Sequence, residues 1–238
     1  SSEEHDPSTL VRNATKAEEM GFDFVSISDH FHPWVSEQGH SPFVWSVLGG
    51  IATRTDRVEI GVGVTCPILR IHPAILAQAT ATTSRLADDR FVFGVGTGEA
   101  LNEHVLGQRW PRPDLRREML EEAIAVIRRL WTGETVDHLG RFYEVENARI
   151  FDPPNRPIPL VVSGFGTGAA ELAGRIGDGY WGHSPDREVL QAYEQSGGSG
   201  HRYAQLNVCW STDAETARKT VHRVWPNGGV PGQLSQDL

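Results

Sequence analysis

The chain is poor in positive charge. Its only lysines are Lys16 and Lys219, no basic run is longer than Arg-Arg, and the formal net charge is -9. A surface of that sign repels nucleic-acid phosphates and anionic lipid, so neither nucleic acid nor membrane is expected as a partner. Cysteine is equally scarce. Cys66 and Cys209 stand far apart, each in an apolar stretch, which excludes a disulfide framework and fits a reduced, cytoplasmic setting. No run reaches the ~18 apolar residues of a membrane span, and no signal peptide is visible. Neither H-E-x-x-H nor a paired-cysteine spacing occurs, so no metal site is expected. G-x-S-x-G is missing as well, which argues against a serine hydrolase.

Apolar periodicity places strands at 22–27, 58–64, 91–96, 160–163, 179–182 and 205–210. It places helices at 8–20, capped by Ser8, and at 42–54, 73–86, 115–131, 168–176, 187–195 and 213–224. A hairpin turning near Leu139-Gly140 interrupts the alternation between 135 and 150. The 238 residues suit one domain, 1–238, with the hairpin as an insertion at about 133–150. The opening "SSEEHDPSTL" has no initiator Met and no first strand, and the closing "GQLSQDL" is polar with no final element. Both ends are therefore expected to be truncated.

Strands alternating with helices predict a parallel sheet covered by helices. Six strands suit a doubly wound sheet; a (β/α)8 barrel needs eight, and each truncated end could have held one. The loops decide between them. "SDHFHPW", "TCPILRIHP", "TGEALNEH" and "GFGTG" each follow the carboxyl end of a strand. A doubly wound sheet loads only the loops near its switch point, whereas a barrel gathers all its βα loops at one mouth. The expected fold is thus an α/β (β/α)8 TIM barrel with its first and last strands outside the chain.

Four stretches carry candidate chemistry. In "SDHFHPW", His30 can exchange a proton near neutral pH. Asp29 is expected to orient its ring, and Pro33 and Trp34 to wall it. The plainer alternative is a capping aspartate beside a packed histidine. In "GVGTGEALNE", Gly94, Gly96 and Gly98 let backbone approach a ligand, and Glu99 is a candidate acid, the alternative being a helix-dipole carboxylate. Its glycine spacing departs from the dinucleotide fingerprint. "SGFGTGAAELAG" (163–174) opens a helix with free N–H groups for a phosphate, or is a tight turn with glycine for packing. "GVGVTCP" (61–67) offers small residues to a flat ligand.

Taken in order, these stretches resemble the bacterial-luciferase-like oxidoreductases, most nearly the coenzyme F420-dependent group around glucose-6-phosphate dehydrogenase. "SDHFHPW", "HPAILAQATATTSRL", "FVFGVGTGEALNE", "IRRLWTGETVDHLGRFYEVENARI" and "AGRIGDGYWG" carry the resemblance across most of 3–181. It implies an 8-hydroxy-5-deazaflavin (F420) across the barrel mouth, backed by Gly63, Val64 and Thr65, with a non-prolyl cis peptide at Gly63-Val64. Ser163, Gly164, Phe165 and Gly166 would hold its phosphate, and Asp29, Thr97 and Asn102 would also touch it. It further implies hydride transfer between a CH–OH substrate and the deazaflavin C5, with His30 as base, Trp34 flanking the developing charge, Glu99 as acid and Glu3 as a further active-site carboxylate. Where the sugar-phosphate enzymes place a loop lysine, this chain has Asp186, which points to a small-molecule substrate other than glucose 6-phosphate. A homodimer is the assembly implied. The alternatives are an FMN-dependent monooxygenase on the same barrel and a non-catalytic cofactor-binding member.

Overall fold

The computed structural model describes residues 2–183 and 186–226. In chain order the elements are α1 (Pro7–Glu19), β1 (Phe24–Ile27), α2 (Val44–Ala52), β2 (Glu59–Thr65), α3 (Pro73–Leu86), β3 (Phe91–Val95), α4 (Ala100–Glu103), α5 (Pro113–Leu130), β4 (Val136–Leu139), β5 (Glu144–Ala148), β6 (Leu160–Ser163), α6 (Thr167–Ile176), β7 (Gly179–Gly182), α7 (Arg187–Gln195), β8 (His201–Ala204) and α8 (Ala214–Val224). Short 3-10 turns at Ser2–Glu4 and Ser36–Gln38 flank the first loops.

Capping chemistry sets most helix starts. Asp6, not Ser8, caps α1: its carboxylate accepts the N–H groups of Ser8 at 3.0 Å and Thr9 at 3.1 Å, with Pro7 in the first turn. His72 and Pro73 do the same for α3, and Asp186 and Asp213 cap α7 and α8.

β1, β2, β3, β6, β7 and β8 form one parallel sheet in that spatial order. Among the described residues the order never reverses and shows no switch point, which speaks against the doubly wound alternative. Side chains alternate across the sheet, as pleating requires. Ile60, Val62, Phe91, Phe93, Leu160, Val162 and Tyr180 join one large core with buried residues from α1, α2, α3, α5, α6 and α7. The opposite face carries a smaller cluster of Val92, Val161 and Trp181, with Phe24, Val64 and Tyr203 against it. All the covering helices therefore share one face, and the other is lined by a few strand side chains, as in the wall of a (β/α)8 barrel. β4 and β5 form a separate antiparallel hairpin, and its turn is held by Glu122 of α5, which accepts the N–H groups of Arg141, Phe142 and Tyr143.

The last sheet strand is displaced from its expected place. Residues 201–204 pair with β7, whereas 205–210 is irregular, with Leu206, Val208 and Trp210 each more than 80% exposed. The alternation of those three residues is strand-like, but at this edge no further strand among the described residues gives them anything to bury against. Cys209 in the same stretch is exposed rather than apolar in setting; Cys66 is buried as expected. The helix expected at 42–54 is trimmed to Val44–Ala52, Phe43 being extended. The closing "GQLSQDL" lies outside the described residues. Among those described, no helix is long and apolar enough to cross a membrane, and no group of three or more His, Cys, Asp or Glu is placed to hold a metal ion.

Candidate active site

A parallel sheet wound in one direction sends every βα loop to the same end. The floor of that end is backbone. The pairing of β2 with β3 skips between Val62 and Thr65, and the Gly63–Val64 peptide in this bulge is cis. A Cβ on Gly94 would lie 2.2 Å from the Val62 carbonyl oxygen, and one on Gly63 would lie 2.6 Å from the Trp181 ring. Glycine is required at both positions because chain and ring approach too closely for any side chain.

His30 follows β1. Its Nδ1 lies 2.9 Å from Glu3 Oε1, a close charge contact whose N–H points off the line to the oxygen. Trp34 stands edge-on to the imidazole, with ring centres 4.8 Å apart and planes at 86°. The Ser28 hydroxyl donates to the same Glu3 oxygen at 2.6 Å, and Ser41 Oγ donates to the His30 carbonyl at 2.8 Å. Burial alone would raise the Glu3 pKa, but the close contact with His30 and its charge, with help from Ser28, hold it down at about 2. Burial likewise opposes charge on His30. Contact with Glu3, assisted by the charges of Glu99 and Asp29, outweighs it and raises the His30 pKa above the ordinary histidine value.

Glu3, not Asp29, is therefore the carboxylate at the His30 ring. Successive residues at a strand end point to opposite sides, and Asp29 is turned away into a buried network. Its Oδ1 accepts from Arg70 Nη2 at 2.8 Å and its Oδ2 from Thr65 Oγ1 at 2.8 Å. Arg70 also donates through Nε to Glu103 Oε1 at 3.2 Å. Beside Glu103, Asn102 accepts the N–H groups of Phe31 at 2.8 Å and His32 at 3.0 Å through Oδ1, while its buried Nδ2 has no partner. Sequence reading passed over Arg70 and Glu103; the one available signal was a lone arginine inside the apolar loop "TCPILRIHP".

Glu99 is half-buried at the N-cap position of α4 and makes no side-chain cap bond. It opens the segment after β3, and its charge acts on both His30 and Arg116. Thr97 precedes Gly98, whose φ of 70° is left-handed. Across the mouth, Ser163 ends β6 and Gly164–Gly166 turns into α6. Ala169 Cβ would lie 2.3 Å from a Cβ on Gly164, so that glycine brings loop and helix together. Gly166, at the N-cap of α6, has no side-chain cap, and nothing lies within 4 Å of where its Cβ would stand. Phe165 is exposed and stacks on His183 with ring centres 4.2 Å apart. Asp186 is engaged in capping α7.

The Glu3–His30 pair makes stability depend on pH in a defined window. Glu3 is depressed from 4.5 to about 2, so its contribution is complete above pH 4.5 and is lost as pH falls toward 2. His30 is raised from 6.5, so its contribution is complete below pH 6.5 and is lost as pH climbs through the folded-state value. Glu3→Gln is expected to cost most stability between pH 4.5 and 6.5, with a smaller cost on either side. Urea denaturation at a series of pH values checks this; a cost that does not vary with pH contradicts it.

The sequence matches the luciferase-like monooxygenase family over residues 1–236. It is 46% identical over 180 residues to a Microbacterium testaceum protein named F420-dependent glucose-6-phosphate dehydrogenase, covering 76% of this chain and 54% of that one. A Kineococcus radiotolerans protein of the same name is 43% identical over 238 residues, covering 94% and 70%. The chain thus spans about half the length of most of these relatives. Among solved structures, an F420-dependent secondary alcohol dehydrogenase in complex with an F420-acetone adduct superposes with a TM-score of 0.87 at 30% identity, covering 92% of this chain and 71% of that one. The chain belongs to the luciferase-like monooxygenase family.

Proposed function

We propose that this chain carries the cofactor and proton-transfer sites of an F420-dependent oxidoreductase acting between an alcohol carbon and its carbonyl. One observation carries the reading: His30, charge-paired through Nδ1 and walled by Trp34, stands at the end of the sheet where the loops after β1, β2, β3 and β6 meet. The names of the relatives and of the similar solved structure support the choice of cofactor.

The residues present fit the group. The uncapped α6 and the open space at Gly166 offer N–H donors and room to a phosphate. The bulge leaves Gly63 and Val64 partly exposed to a flat ring, with Thr65 buried behind them, and Asn102 Nδ2 is a buried donor without a partner. Thr97, in the segment after β3, would line the same mouth. When bound, the deazaflavin supplies the site that accepts or returns a hydride.

The chain's own residues manage the proton. Nδ1 of His30 faces Glu3, which leaves Nε2 for the substrate oxygen. In carbonyl reduction, the imidazolium gives its Nε2 proton to that oxygen. In alcohol oxidation, the neutral ring takes the hydroxyl proton as hydride leaves the carbon. The raised His30 pKa favours the protonated ring, which suits carbonyl reduction, and alcohol oxidation is expected to speed up as pH rises and the ring loses its proton. Glu99 is the second acid at the mouth.

The walls favour a compact neutral substrate. Trp34 is backed by Trp225 with ring centres 5.5 Å apart, and Asp186 stands at the head of α7. Lys16 lies on α1, and Lys219, on α8, is 3.7 Å from Glu215. Among the described residues no lysine lies in a loop of this mouth, which argues against a sugar phosphate such as the relatives' name states.

His30→Ala is expected to lower turnover by about a hundredfold or more, with F420 affinity within about threefold of the parent; unchanged turnover contradicts the base assignment. Gly166→Asp has room for its side chain, but the carboxylate would take the α6 N–H groups and repel the phosphate. F420 affinity should fall about tenfold or more, while thermal stability holds or rises because aspartate is a good N-cap. Fluorescence titration and thermal melts check both; unaltered affinity would put the phosphate elsewhere.

A further inference from the structure

Arg70 lies between β2 and α3 with its side chain 7% exposed, held between Asp29 and Glu103, whose side chains are 1% exposed. Nη2 donates to Asp29 Oδ1 at 2.8 Å and to the Asp29 carbonyl at 3.2 Å. Nε donates to Glu103 Oε1 at 3.2 Å, and the Arg70 backbone N–H donates to Glu103 Oε2 at 2.9 Å. Thr65 Oγ1 donates to the remaining Asp29 oxygen. Every oxygen of the two carboxylates therefore has a donor. The residues that bracket His30 are tied to the same unit. Asp29, before it, is bonded to Arg70. Phe31 and His32, after it, donate to Asn102, the neighbour of Glu103.

Stability alone is a weak reason for this arrangement, because well-packed apolar side chains often replace a buried ionic triad at no loss. What the triad supplies is fixed geometry, since arginine's planar fork reaches two carboxylates in set directions. We propose that Arg70 is a positioning residue: by joining the loops after β1, β2 and β3 it fixes His30 against Glu3 and Trp34. The catalytic consequence rests on the functional reading above; the placement does not. The charged groups acting on His30 are Glu3, Asp29 and Glu99, and Arg70 compensates the second of these. Glu103 and buried Cys66 complete the surroundings of Arg70.

Arg70→Lys keeps the charge but loses the fork. The variant is expected to keep the parent's circular dichroism and to bind F420 within about threefold of the parent, while turnover falls about tenfold or more. NMR titration of the His30 ring, assigned by comparison with His30→Gln, should show its midpoint moved by more than about 0.3 pH unit. A merely structural Arg70 would lower the melting temperature and leave both turnover and midpoint at parent values, and that result overturns the proposal. Should this variant fail to fold, the double variant Arg70→Gln/Glu103→Gln gives the same reading. It removes the fork, so turnover should again fall about tenfold or more while F420 affinity stays within about threefold of the parent, and parent turnover overturns the proposal. The NMR titration uses no cofactor. A parent that binds no F420 would therefore defeat the functional reading while the positioning of His30 is still measured.

Discussion

One constraint organises this molecule. Parallel strands laid down in chain order, each joined to the next by a crossover on the same face, must deliver all their outgoing loops to one end. No single loop here holds a complete site. Glu3 comes from the turn before α1, His30 and Trp34 from the loop after β1, Arg70 from the loop after β2, and Glu99 and Asn102 from the segment after β3. The sheet brings them together, and the bulge at Gly63–Val64 gives them a backbone floor.

Charge is the second layer. The mouth buries Glu3, Asp29 and Glu103, and an unpaired carboxylate in such a place is expensive. Each has a specific answer: a histidine and two serines for Glu3, an arginine and a threonine for Asp29, and the same arginine for Glu103. These answers separate two roles. Glu3 is the main group raising the proton affinity of His30, whereas Asp29 and Glu103 share one arginine, Arg70, which ties together the loops around it.

The readable parts of the sequence were those governed by local rules. α3 and α7 begin and end where expected because Pro73 and Asp186 punctuate the chain. The four loaded loops betrayed the barrel mouth because glycine, histidine and carboxylate cluster after apolar runs. What failed was through-space. Asp29 is adjacent to His30 in the chain, yet Glu3, 27 positions upstream of the histidine, is the residue that meets the ring. Arg70 carries no period or motif and gained its meaning only once two distant carboxylates closed on it. The alternation of Leu206, Val208 and Trp210 promised a strand, but a strand forms only where a neighbour pairs with it. The cis bond at Gly63–Val64 was legible only through family resemblance, since nothing in a Gly-Val pair marks it.

The central claim is that this mouth accepts a deazaflavin. The most direct test is a fluorescence titration of the purified chain with coenzyme F420 beside a parallel titration with FMN. Saturable binding of F420, with no binding of FMN over the same concentration range, is the result predicted. Preferential binding of FMN, or binding of neither, would contradict it.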